Sequence, residues 1–260
     1  MPEIFFEPRG RLGNALFRYF SIIILLSENK NYSYGGINKI KNNLIIDESD
    51  IQNNIKNNML PFSNLNYNYV LNGFYQFQEI VKYKSDIKQY INNHEEHEIF
   101  THPFEIFKIK DIMNKKVETY DIAIHVRLED FIENGEYIKP NTYIQLFNKL
   151  SKKYFENKKI AIVIHQPNTE FEFDYLNNLN KWFINNNINI NIESNDIITD
   201  FNIMKNSIAL ICSNSTISWC AAFLSDKIKE CYMPDYYIKE RSLQTFKFPI
   251  QNTILYELLK

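Results

Sequence analysis

The stretch YDIAIHVRLED, residues 120–130, decides the fold: an apolar run over 120–126 closes on a histidine and an arginine and passes into a polar loop. The same pattern returns downstream. A helical pattern over 141–155 leads to KIAIVIH at 159–165, a second over 171–184 leads to a short apolar run at 188–192, and a third over 198–205 leads to IALIC at 208–212. A helix over 216–224 and a strand over 228–233 continue the alternation. Strands alternating with helices of this length predict an α/β domain built on a parallel, doubly wound sheet. In such sheets ligands sit beyond the carboxyl ends of the strands, so the residues that follow each strand are the candidates for chemistry.

The first half carries the pattern less cleanly. Residues 3–8 are β-prone and end in the turn RGRLGN at 9–14, which a helical segment follows over 15–26. Strand signals recur at 32–34 and 70–74, and Phe77, Ile80, Val81 and Ile87 give helical spacing over 76–90. Residues 39–68 are rich in Asn and admit no assignment. Periodicity is poor and charge frequent over 94–118, which places the domain boundary there: 1–118 forms a first lobe and 119–260 a second.

Composition narrows the function classes. The chain has 260 residues, 45% of them hydrophobic and 15% aromatic, enough for packed cores rather than disorder. A net charge of -2 gives no positive field for a phosphate backbone or an anionic bilayer, so nucleic acid is not an expected partner. Apolar runs such as 22–26 fall far short of the roughly 20 residues of a membrane span. Cys212, Cys220 and Cys231 lack metal-ligand spacing and sit in apolar surroundings, which suits reduced thiols and a soluble, cytoplasmic protein.

Four positions follow strands. In RGRLGN, Gly10 and Gly13 permit a tight turn, and the helix start offers N–H groups to an anion; an ordinary turn reads the same way. In HVRLED, His125 and Arg127 share a face at the sheet edge, and Arg127 can fork onto a phosphate or pair with Glu129 or Asp130. In SNSTISWCAAFL, Ser213, Asn214, Ser215 and Thr216 precede a helix and can cradle a phosphate, or Ser215 or Thr216 can simply cap that helix. Asp200 is a carboxylate able to accept two parallel hydrogen bonds, the match for a guanine edge, or to cap its own helix. Trp219 reads as core.

Together these segments resemble glycosyltransferase family 11, the α-1,2-fucosyltransferases, and more distantly the wider GDP-fucose-dependent group. RGRLGNALFRYF is similar to the family's G-x-L-G-N-Q-x-F-x-Y segment, with Ala15 in place of Gln, and LNGFYQFQEIV at 71–81 to its G-Y-x-Q stretch. HVRLED resembles H-x-R-R-x-D, DFNIM resembles D-x-x-x-M, and SNSTISWCAAFL resembles S-N-S-T-F-S-W-W-x-A-x-L.

The resemblance implies a GT-B fold of two Rossmann-like lobes with parallel sheets and a cleft between them. It implies inverting transfer of L-fucose from GDP-fucose to a glycan hydroxyl, α-1,2 to galactose, without a metal; no D-x-D signature is present. By it Arg127 binds the donor diphosphate, His125 and Asp200 lie at the guanine, and Ser213, Asn214, Ser215, Thr216 and Gly13 line the donor. Asn14 reaches the cleft from the first lobe. The catalytic base is open among Asp130, Glu133 and Glu136.

Two departures stand out. The family's second arginine is Leu128 here, and its usual glycine is Glu129, a carboxylate expected to point outward because it would oppose a diphosphate. They keep two alternatives alive: a transferase of another nucleotide-activated hexose or deoxyhexose, and a non-catalytic sugar-nucleotide or glycan-binding module.

Overall fold

The β-prone start forms strand β1 (Glu3–Phe6), with Ile4, Phe5 and Phe6 buried, and the following helix α1 (Leu12–Glu28) is buried over nearly all of its surface. The computed structural model describes residues 1–37, 44–47, 67–102, 105–235 and 247–259. Strands β2 (Ser33–Ile37), β3 (Leu44–Asp47) and β4 (Tyr69–Asn72) join β1 in a parallel sheet of order β2-β1-β4-β3. Of the unassigned stretch 39–68, only β3 and residues 67–68 lie within the described residues.

The helix expected over 76–90 is divided into a 3₁₀ segment, Gln78–Tyr83, and α2 (Lys84–Asn93). The poorly periodic stretch 94–118 holds an antiparallel pair, β5 (Glu98–Phe100) and β6 (Ile106–Lys108), and the short α3 (Ile109–Asn114). Elements of three to six residues are shorter than the window over which periodicity can be read.

The chain divides into two compact units, the first over Met1–Asn114 and the second over Lys115–Ile238 with the stretch from Lys247. The second unit opens with β7 (Ile122–His125), wholly buried, followed by α4 (Asp130–Glu133), α5 (Pro140–Leu150) and α6 (Lys152–Phe155). The single helix expected over 141–155 is interrupted at Ser151, whose φ of 67° no α-helix accommodates. Pro140 opens α5, the position where its missing N–H and fixed φ cost least.

Next come β8 (Ile160–Val163) and α7 (Glu170–Asn185), then β9 (Asn191–Glu193) and α8 (Ile197–Asn206). They are followed by β10 (Ala209–Ile211), α9 (Thr216–Leu224), β11 (Glu230–Pro234) and β12 (Thr253–Tyr256). Strand β9 begins at Asn191 instead of 188, and β12, a short edge strand, was not foreseen. All six strands are parallel in the order β12-β11-β10-β7-β8-β9. One face is covered by a core of Tyr143, Phe147, Phe155, Leu179 and Phe183, in which Phe147 meets Phe155 and Phe183 at 5.5 and 5.1 Å between ring centroids. Trp219 is buried and stacked on Phe223, as a core residue would be.

The order of pairing locates the positions of interest. From β7 the chain adds β8 and β9 on one side and then returns to add β10, β11 and β12 on the other, so the topological switch lies between β7 and β10. In the first unit β1 has β2 on one side and β4 on the other, so that switch lies between β1 and β4. The carboxyl ends of strands at a switch are where parallel α/β sheets leave a crevice for ligands.

Candidate functional site

At the switch of the second unit, His125 ends β7 and Ser213 follows β10, and the two are joined by a hydrogen bond of 2.8 Å between Ser213 Oγ and His125 Nδ1. Both are buried. Burial, then the Arg127 charge, then His165 pull the His125 pKa down to about 3, so the imidazole is neutral at ordinary pH. Its backbone carbonyl accepts from the Tyr143 hydroxyl at 2.9 Å. A second link crosses the same switch: Asn214 Nδ2 donates to the Glu136 carbonyl, tying the loop after β10 to the loop after β7.

Arg127 lies two residues beyond His125, with its side chain 12% exposed. Its Nη1 pairs with the Glu129 carboxylate and its Nη2 with Asp130 Oδ1 at 2.6 Å, while the guanidinium lies over Phe131, 5.4 Å from the ring centroid. Both pairings that the sequence allowed are therefore made. Leu128 is fully buried in the core. The Glu129 carboxylate, expected to point outward, is half-buried and engaged by Arg127; its backbone has φ 49° and ψ -123°, a conformation that favours glycine. The residue type usual in the resembled family is thus the one this backbone prefers, and Glu129 carries strain of roughly 1–3 kcal/mol.

A test follows. Replacing Glu129 with glycine relieves that strain and frees half of the Arg127 fork, so E129G is expected to match or exceed wild-type thermal stability. Scanning calorimetry checks this, and a lower melting temperature for E129G would show that the Arg127–Glu129 pair outweighs the strain.

The hydroxyl-rich loop is divided in role. Ser213 is buried and committed to His125, whereas Ser215, at the N-cap of α9, makes no side-chain capping bond among the described residues. The capping reading is not realised for Ser215, and Thr216 stands in the first turn of α9. Buried Asn214 Oδ1 has no hydrogen-bond partner among the described residues. Asp130 begins α4 on Arg127, Glu133 is exposed and Glu136 half-buried.

Asp200 sits in the first turn of α8, 7% exposed, and does not cap its helix; Asp196 does, accepting from the Ile198 and Thr199 amides. Instead Asp200 Oδ1 accepts from the backbone N–H and the side-chain amide of Asn195, each at 3.2 Å. Burial raises its pKa to about 7 against those two hydrogen bonds, with Asp196 and Glu193 adding to the rise.

A second histidine stands at this sheet edge. His165 follows β8 much as His125 closes β7, and its Nε2 lies 2.7 Å from Glu172 Oε1. Glu172 also accepts from the Asn168 and Thr169 amides and completes a capping box with Thr169 at the start of α7. The signal was available: a histidine ending a strand, then T-x-x-E. Only the fold places that carboxylate against that ring.

In the first unit, Gly13 and Asn14 lie in the opening turn of α1 and Gln76 follows β4. Gln76 Nε2 donates to Asn14 Oδ1 at 2.6 Å, a hydrogen bond across the β1/β4 switch. Gly10 has φ 64°, and a Cβ there would come within 2.2 Å of Asn14 Nδ2, so glycine is required twice over.

No protein-family model matches the sequence, and no curated protein matches it. Among solved structures, E. coli heptosyltransferase WaaC with ADP aligns at a TM-score of 0.51 and 7% identity, covering 99% of this chain and 93% of that one. E. coli heptosyltransferase WaaC with ADP-2-deoxy-2-fluoro heptose aligns at 0.49 and 6% identity, over 98% and 92%. At such identity the likeness of the first concerns the fold, and it agrees with the parallel sheets and switch points: the architecture is α/β with two Rossmann-like units, the GT-B class of glycosyltransferase folds. Among the described residues no helix is long and apolar enough to cross a membrane.

Proposed function

We propose that this protein is an inverting, metal-independent glycosyltransferase that moves L-fucose from GDP-fucose to a glycan hydroxyl, with α-1,2 linkage to galactose as the expected product. The observation that carries the reading is the convergence at the second unit's switch. There a forked arginine, an uncapped serine at a helix start and a hydroxyl-rich loop stand beyond the strand ends, cross-linked by the His125–Ser213 and Asn214–Glu136 hydrogen bonds. When the bond between sugar and phosphate breaks, negative charge grows on the diphosphate, and Arg127 with Ser215 and Thr216 would offset it without a metal. His125, neutral and bonded to Ser213, positions this loop. Asn14, hydrogen-bonded to Gln76, is proposed to serve the first lobe's side of the reaction, and Asp130 to be the leading candidate for the base that receives the acceptor proton.

A second reading has specific support. The first structural neighbour is a heptosyltransferase with ADP, and a carboxylate with a pKa near 7 is half protonated where a guanine edge requires it ionised. Transfer from an adenine-based sugar nucleotide is therefore the alternative donor chemistry. The engagement of Arg127 by two carboxylates favours the third reading, a binding module, if it persists when ligand is present.

The deciding assay is release of nucleoside diphosphate from GDP-fucose and from ADP-heptose, each with EDTA present and with galactose-terminated acceptors. Turnover of GDP-fucose with EDTA supports the first reading, turnover of ADP-heptose alone the second, and binding with no turnover of either the third.

A further inference from the structure

Arg18 lies on α1, one turn beyond Asn14, and its side chain is wholly buried. Its Nη2 donates to the carbonyl of Arg9, the residue that opens the glycine loop, and its guanidinium lies 5.7 Å from the centre of the Phe6 ring. Nε and Nη1 are buried and make no hydrogen bond among the described residues, and no carboxylate there pairs with Arg18. A buried guanidinium satisfied by one carbonyl and an aromatic face is among the costlier arrangements a core can hold, because buried charges are ordinarily paired. Burial, followed by the nearby Arg9 charge, brings its pKa down to about 10, so it remains a cation at neutral pH.

The helix start shares its sign, although Arg9 is paired with Glu7 at 3.4 Å. The N-terminus of α1, the positive end of a 17-residue helix, carries no acidic residue in its first turn and no side-chain cap. Exposed Arg9 and Arg11 flank the loop. All of this stands at the carboxyl end of β1, beside the β1/β4 switch.

We propose that the loop 9–13, the start of α1 and Arg18 form an oxyanion-binding site in the first unit, taking a phosphate or carboxylate group of a substrate. The anion enters as the Arg9 carbonyl yields its hydrogen bond to Arg18, and the guanidinium then gains the negative partner it lacks. This site rests on the proposed donor reading, which already sets Gly13 of the loop at the donor, and adds Arg18 as its buried cation; it does not depend on which nucleotide the donor carries.

The test is thermal unfolding of the full chain, titrated with inorganic phosphate and separately with malonate, against sodium chloride at equal ionic strength, in wild type, R18M and R127A. Wild type is expected to show a saturable rise of a few degrees with at least one of the two anions, and which one names the class. R18M, which replaces the cation with an apolar chain of similar length, is expected to unfold at the wild-type temperature or above without anion and to lose the rise. R127A is expected to keep it.

A rise that vanishes in R127A and survives in R18M would overturn the inference and place the anion at the second unit's switch. A wild type that responds as it does to chloride would overturn it as well, whatever the variants do. If R18M does not fold, R18K is the second variant: it keeps the charge with fewer donors and should retain only a weakened response, so an undiminished one would contradict the site.

Discussion

Arg127→Ala is expected to lower turnover by ~100-fold or more, the scale on which removal of one preorganised transition-state charge stabiliser is felt. The geometry says why a conservative change should not rescue it. Arg127 holds two carboxylates at once through separate nitrogens, and a diphosphate would take that same fork. Lysine supplies the charge as a single point, so R127K is expected to recover only part of the loss. The fold should survive, since Arg127 is absent from the core that buries its neighbour Leu128. Removing the cation leaves Glu129 and Asp130 facing each other, which costs about 1 kcal/mol or less at these partly exposed positions. An R127A enzyme with wild-type kcat would remove Arg127 from the mechanism.

Asp200→Asn is expected to stabilise the protein above neutral pH. The sign follows from the pKa. An aspartate near 3.8 when unfolded and near 7 when folded holds a proton in the native state that the unfolded chain has already lost, so its contribution favours folding below pH 4 and is lost as pH rises through 7. Three units at about 1.4 kcal/mol each set a ceiling near 4 kcal/mol; relaxation brings a realistic figure to about 2–4 kcal/mol. Asparagine imitates the protonated acid at every pH, so D200N should melt roughly 5–10 °C above wild type at pH 8, with the difference shrinking as pH falls through 7 and vanishing only below about pH 4.

His125 acts in the opposite sense. Held neutral with its pKa near 3, it destabilises the fold as pH falls below 6.5, and His97, lowered to about 4 by burial and His94, does the same in the first unit. The difference between D200N and wild type cancels both. If Asp200 reads guanine, wild-type GDP affinity should weaken about tenfold per pH unit below 7, and D200N should lose GDP while gaining stability. A D200N protein that is more stable and binds GDP undiminished would assign Asp200 to structure and favour the adenine reading.

Much of this was legible in the chain itself. The runs at 120–126, 159–165 and 208–212 each hold a strand, and the helices after them begin within a few residues of the expected places, because apolar runs alternating with 3.6-residue periodicity leave few other arrangements. Strand order was not legible, since pairing is a long-range property. Without it His125 and Ser213 are 88 positions apart, with no sign that they share a hydrogen bond. The strain at Glu129 is likewise a backbone property that shows in sequence only as an odd residue in a familiar motif. Arg18 looked like one more polar residue in a helix; its burial comes from α1 being covered on nearly all sides, which a single-face pattern cannot convey.

In the proposed function, the loops beyond β7 and β10 hold a nucleoside diphosphate through Arg127. Isothermal titration of GDP, ADP and UDP into wild type and R127A at pH 8 with EDTA present tests it most directly. Saturable binding of GDP to wild type, weakened at least tenfold in R127A, is expected, with UDP failing to bind; ADP in place of GDP would move the donor to the adenine class while keeping the site. Equal affinity of wild type and R127A for whichever nucleotide binds, or no binding of any of the three, would contradict it.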